Sequence, residues 1–178
     1  MNRSIKEITM VFLLVALIAG GGLSGAASVR AQEKGSTFAQ QLQGSWLLDS
    51  IYNEQDGKKI EPFGAPARGF MVLTPDGHFS MIFMKPSLPK FAANNRMKGT
   101  AAENQAIVQG SHAFFGTYKV ASEKEHTVNL HIDGSTFPNM DGQDQQRVMI
   151  VQGDELRVTN STTTIGGVAH VVWKRAKK

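Results

Sequence analysis

A chain of 178 residues that is 41% hydrophobic and 19% charged is long enough to bury one substantial core. It has no cysteine, which excludes disulfides, thiol catalysis, thiolate metal sites and a lipid-anchored N-terminal cysteine. The formal charge of +4 roughly halves without the first 31 residues, which carry Arg3, Lys6 and Arg30 against Glu7, and so small an excess excludes a nucleic-acid partner.

At the N-terminus, Arg3 and Lys6 precede an apolar run from Met10 to Ala19. That run is about half of the roughly 20 residues a membrane-spanning helix needs. Small residues follow, and Val29 with Ala31 gives the pattern that signal peptidase accepts. Residues 1–31 therefore read as a secretory signal peptide cut after Ala31, an uncleaved anchor being the alternative. Residues 32–41 form a lead-in and residues 42–178 the folded domain.

From Gln32 onward the hydrophobic period is mostly two. Strands are expected over 44–53, 68–74, 78–84, 112–120, 127–133, 146–152, 155–161 and 168–175, each rich in β-branched and aromatic residues and bounded by Gly, Asp, Asn or Pro. The turns TPDGH and QGDE place Gly where a hairpin needs positive φ, so the strands they join are antiparallel. One segment reads as a helix, 100–110, where Thr100 and Glu103 form a capping box and Gly110 marks the stop. Lys174, Arg175, Lys177 and Lys178 read as a solvated basic end. Eight antiparallel strands with one helix inserted between the third and fourth suit an up-and-down β-barrel, with a two-sheet sandwich as the alternative.

Connection lengths orient that barrel. The long connections 54–67, 85–111 and 134–145, together with 162–167, alternate with short ones. In an up-and-down barrel they therefore share one end, the mouth of any cavity, and the short turns close the other.

Gly44-Ser45-Trp46 opening the first strand and Arg175 closing the last resemble the Gly-x-Trp and arginine pair of lipocalins. The segments PFGAPARGFMVLTPDGHFS, LPKFAANNR, GTAAENQAIVQGSHAFFGTY, GSTFPNMDGQDQQR and VVWKR resemble, in that order, the lipocalin-like domain family of small bacterial and fungal proteins, over Leu42 to Arg175. The resemblance implies a lipocalin-like barrel in which Arg175 packs across Trp46 at the closed end. It supplies no activity, since many members of the family have none established.

Position relative to the mouth selects the candidate ligand-binding residues: Tyr52, Arg68, Phe70, Phe83, Phe114, Phe137 and Arg147, together with Tyr118. His112, Phe63 and Phe91 also fall near the mouth. Such a set suits an apolar cavity with a few polar groups, which a small hydrophobic or amphipathic ligand needs; the competing reading is that the aromatics and methionines fill the barrel. In GSTFPNMDGQDQQR, Phe137 is expected at an apolar lip. Arg147 is expected next to the mouth, near the surface, either free for an acidic ligand or neutralised by Asp141 or Asp144, so that losing its charge would change stability by less than about 1 kcal/mol. His112, His131 and His170 lack H-x-H or H-E-x-x-H spacing, and in TVNLHID His131 lies opposite the apolar Val128, Leu130 and Ile132. Neither a metal site nor a cofactor is expected, and no Gly-x-Ser-x-Gly elbow, phosphate loop or dinucleotide fingerprint occurs. Three functions remain open: an exported carrier of a small hydrophobic molecule, a barrel isomerase or cyclase using Tyr118, His112 or Arg147, and a protein-binding module built on the mouth loops.

Overall fold

Alternating apolar and polar residues give nine strands in the computed structural model, which describes residues 36–177. These are β1 (Gly44–Gln55), β2 (Lys58–Ile60), β3 (Arg68–Leu73), β4 (His78–Met84), β5 (Ser111–Ser122), β6 (Thr127–Ser135), β7 (Asp144–Gln152), β8 (Glu155–Asn160) and β9 (Val168–Arg175). From β3 to β9 each strand pairs antiparallel with the next, and β1 pairs with both β3 and β9. The β1–β9 ladder runs from Trp46 opposite Arg175 to Glu54 opposite Val168 and closes an eight-stranded up-and-down barrel. The expected signal peptide lies outside the described residues.

Two elements depart from the sequence expectation. The first connection contains β2, which folds back on β1 through Asp56 (φ 50°) and Gly57 (φ 71°), the two positive-φ positions of a tight hairpin. The lead-in contains a second helix, α1 (Phe38–Leu42), whose Thr37 hydroxyl accepts from the Gln40 amide while the Gln40 side chain accepts from the Thr37 amide.

Helix α1 is part of the seal on the closed end. Phe38 and Leu42 are buried, and the fully buried Trp46 indole donates to the Leu42 carbonyl at 2.9 Å. The Arg175 guanidinium lies 4.1 Å from the Trp46 ring centroid and donates to the Gln43 and Gln41 carbonyls at 2.9 and 2.8 Å. Above this seal Met71, Leu73, Leu130, Leu156 and Trp173 pack the lower barrel with essentially no exposure.

The mouth carries the helix expected from the sequence, α2 (Ala101–Gly110). Its cap residue Glu103 accepts from the Thr100 amide at 2.7 Å and also from the Ala92 amide at 2.8 Å, so one carboxylate both starts the helix and pins the chain that leads into it. Those backbone donors hold the Glu103 carboxyl below its usual range.

Three bulges bend the ladders, at Leu48/Ser50, Phe115/Gly116 and Val120/Ser122. At the second, β5 and β6 approach so closely that a Cβ on Gly116 would stand 1.9 Å from the His131 carbonyl oxygen. Gly116→Ala is expected to force the strands apart and destabilise by roughly 1–3 kcal/mol, measurable by urea unfolding. An unchanged midpoint would show that the two strands part without cost.

Candidate ligand-binding cavity

Above the packed lower barrel lies a cavity of about 370 Å³. That is within the range of small-molecule sites, roughly 300–1,000 Å³. Its opening is framed by the end of α2, by the β6–β7 loop and by the β8–β9 loop. One wall is aromatic: Phe63 stacks on Phe83 (5.7 Å, 11°), Phe83 continues to Trp173 (5.3 Å) and Phe114 (6.4 Å), and Phe79 meets Phe114 edge-on (5.9 Å, 72°). The ladder ties the cavity wall to the core beneath it.

The loops are built from local hydrogen bonds. In the β6–β7 loop a 3₁₀ turn, Pro138–Met140, turns Met140 into the interior, and the Gly142 amide donates to the Ile132 carbonyl at 2.8 Å. Phe137 stays 41% exposed while lining the cavity, so this loop is at once a shaped turn and a lip. In the β8–β9 loop two buried asparagines act as posts. Asn53 donates to the Gly166 carbonyl (2.9 Å) and the Thr163 hydroxyl (3.2 Å), and Asn160 donates to the Thr162 carbonyl (2.6 Å) and accepts from the Thr162 amide (3.0 Å).

Arg147 occupies a different position from the expected one. On β7 the inward residues are Gln145, Arg147 and Met149, and β6 pairs with β7 only from Thr127 to His131, leaving the mouth-side end of β6 beyond the ladder. Arg147 thus sits opposite Val128, inside the barrel rather than at its surface, and is 6% exposed. One terminal nitrogen donates to the Gln145 side-chain oxygen at 2.9 Å, the other points at the Met81 sulfur at 3.6 Å, and Cζ lies 5.2 Å from the Phe114 ring centroid. Its Nε–H has no acceptor. No carboxylate pairs with it among the described residues: Asp141 makes no ion pair there, and Asp144 turns outward to His131 Nδ1 at 2.8 Å. Burial pushes the Arg147 pKa down to about 10, so the group remains a cation at neutral pH.

The other titratable side chain lining the cavity is His112. Its Nε2 is 3.2 Å from the Ser135 hydroxyl, and its ring is 5.1 Å from Phe114. Burial first, then the charge of Arg147, hold this imidazole below its ordinary pKa.

The family model described as a lipocalin-like domain matches residues 43–176. The chain belongs to that lipocalin-like domain family. A lipocalin-like protein from Bacteroides uniformis is similar at 16% identity, with 76% of this chain and 99% of that chain covered and a TM-score of 0.41. A mutant of the fluorescent protein UnaG is similar at 12% identity, with 78% and 98% covered and a TM-score of 0.38. A comparison with curated proteins found no match.

Within this lipocalin-like barrel the expected binding residues divide. Phe83, Phe114, Phe137 and Arg147 line the cavity, whereas Tyr52, Arg68, Phe70 and Tyr118 do not. Tyr52 lies between the buried Ile51 and Asn53, so it faces outward; there it stacks on His170 (5.0 Å, 23°) and lies under Lys59. Phe70 points away from the inward Met71 and is 40% exposed, and Arg68 at the rim donates to the Lys85 carbonyl at 3.2 Å. Tyr118 is at the opposite end, where its hydroxyl donates to the Thr74 carbonyl at 2.8 Å. Sequence reasoning passed over Asn53 and Asn160; an asparagine at the mouth-side end of a strand, next to a Thr- and Gly-rich loop, was the available signal. Among the described residues no group of His, Asp and Glu converges in a way that would hold a metal ion.

Proposed function

We propose that this lipocalin-like protein is an exported carrier of a small amphipathic anion, with the ligand's apolar body against the aromatic wall and its carboxylate or enolate on Arg147. The observation that carries this reading is the buried guanidinium with an unpaired Nε–H in an otherwise mostly apolar cavity. A buried cation without a counter-ion is expensive, and an anion supplied by a ligand would complete it with charge-assisted hydrogen bonds. An isomerase or cyclase would need an acid and a base facing each other; the described lining offers His112 and no carboxylate, which favours the carrier. Export rests on the basic, apolar and small-residue segments of the first 31 residues.

Native mass spectrometry of the protein isolated from its source tests both halves. The expected spectrum has a chain beginning at Gln32 and an added mass that collisional activation removes as an acidic small molecule. A chain beginning at Met1 would overturn export. Bare protein that also fails to take up decanoate on titration would overturn the carrier reading.

A further inference from the structure

Resting on the assignment of Arg147 as the ligand's anchor, we propose that His112 is a second group of the anion site and that the cavity binds an anion together with one proton. Both residues flank Phe114, with the Arg147 Cζ 5.2 Å and the His112 ring 5.1 Å from its ring centre, and both line the cavity. They are also the only side chains on the described lining that titrate as acid or base. The neighbours of His112 across the sheet and at its end of the cavity are Phe83 on β4, Ser135 and Thr136 at the end of β6, and Val108 and Gln109 on α2; none carries charge. The protonation of His112 therefore answers chiefly to Arg147 and to whatever anion sits beside it.

The direction follows from electrostatics. With Arg147 uncompensated, a second positive charge nearby is opposed by burial and by repulsion, so His112 is neutral at pH 7. An anion on Arg147 removes the repulsion and adds an attraction, which raises the affinity of His112 for a proton. The surroundings already suit the imidazolium. Ser135 Oγ accepts from the Phe137 amide at 3.0 Å and lies 3.2 Å from His112 Nε2, within reach to accept from the protonated ring as well. Because His112 is more basic in the complex, affinity for the anion rises as pH falls through the pKa of the complex. It levels off below the pKa of the ligand-free protein.

A sulfonate probe keeps its charge across this range, so 8-anilinonaphthalene-1-sulfonate binding followed by fluorescence from pH 8 to pH 5 reads only the protein's protons. The expected result is an affinity that rises about tenfold or more toward acid, one pKa difference of a unit giving tenfold. The slope should approach one proton. In His112→Gln the pH profile of sulfonate binding should be flat, whereas the uncharged probe N-phenyl-1-naphthylamine should show no slope in either protein. A flat wild-type profile, or an unchanged slope in His112→Gln, would overturn the role of His112 and leave Arg147 standing. Sulfonate binding that is indifferent to Arg147→Met would remove the anchor itself. Matching near-ultraviolet circular dichroism of the variants secures the comparison.

Discussion

Arg147→Met is expected to raise the melting temperature of the ligand-free protein and, in the same molecule, to weaken its hold on an acidic ligand. The stability half follows from burial. A guanidinium whose pKa is pushed by burial well below its ordinary value, to about 10, is disfavoured as a cation by the fold. At about 1.4 kcal/mol per pH unit this is roughly 3 kcal/mol. Because the folded state is the weaker base, the penalty is fully present below about pH 10 and is relieved only as pH rises above it, so at neutral pH it is entire. Methionine matches the length of the stem and fills the space beside Met81 and Phe114 without charge. A gain on the order of 1–3 kcal/mol is expected, less than the full penalty because the Gln145 side-chain oxygen loses its donor. The binding half is a loss of about 1.5–3 kcal/mol for decanoate, the worth of hydrogen bonds to a charged group, with decanol nearly unaffected. Calorimetric unfolding and ligand titration of one preparation check both. A variant that melts earlier and binds acid and alcohol as before would make Arg147 a structural residue.

Trp46→Ala is expected to be the most damaging single substitution at the closed end. The ring is fully buried beneath the Arg175 guanidinium, and its indole nitrogen is the donor to the Leu42 carbonyl at the end of α1. Removing it leaves a cavity, an unanswered carbonyl and an arginine without its platform. A cost of roughly 3–5 kcal/mol follows for a buried tryptophan. For a domain of this size that is on the order of 10–20 °C in Tm. Trp46→Phe keeps the platform and loses the donor, so it should fall by only about 1 kcal/mol. Thermal unfolding that shows no loss for the alanine variant would refute the seal. Binding in the cavity, which lies above the packed lower barrel, should survive at temperatures below the new transition.

The barrel was legible because its signals are local and repeated: period-two runs, Gly-bearing turns, and connection lengths that alternate between long and short. The depth of a side chain is not local. Strict alternation from the inward Trp46 would carry Tyr52 inward too, but the bulge between Leu48 and Ser50 inserts one residue and reverses the phase, so that Ile51 and Asn53 face in and Tyr52 faces out. Arg147 escaped for a related reason. Counting residues from the loop puts it near the mouth, while the register of β7 against β6 sets it opposite Val128, well inside. The elements passed over did carry signals. Thr37-x-x-Gln40 is a capping box of the same kind as Thr100-x-x-Glu103, and Asp56-Gly57 is hairpin chemistry, but each serves an element too short for periodicity to mark it.

The seal of Trp46, Arg175 and α1 makes the barrel a cup and not a pipe. Under the proposed carrier function, whatever the cup takes in it must give back through the same opening, so loading and unloading are one path travelled in two directions. Donor and acceptor must then take turns at a single surface, and no ternary hand-over with one at each end is available. How long cargo stays is accordingly a property of the three rim segments around the opening as much as of the arginine at the bottom. Changes at the rim, Phe137 among them, should alter how fast cargo enters and leaves, while the charge-dependent part of its affinity is decided below.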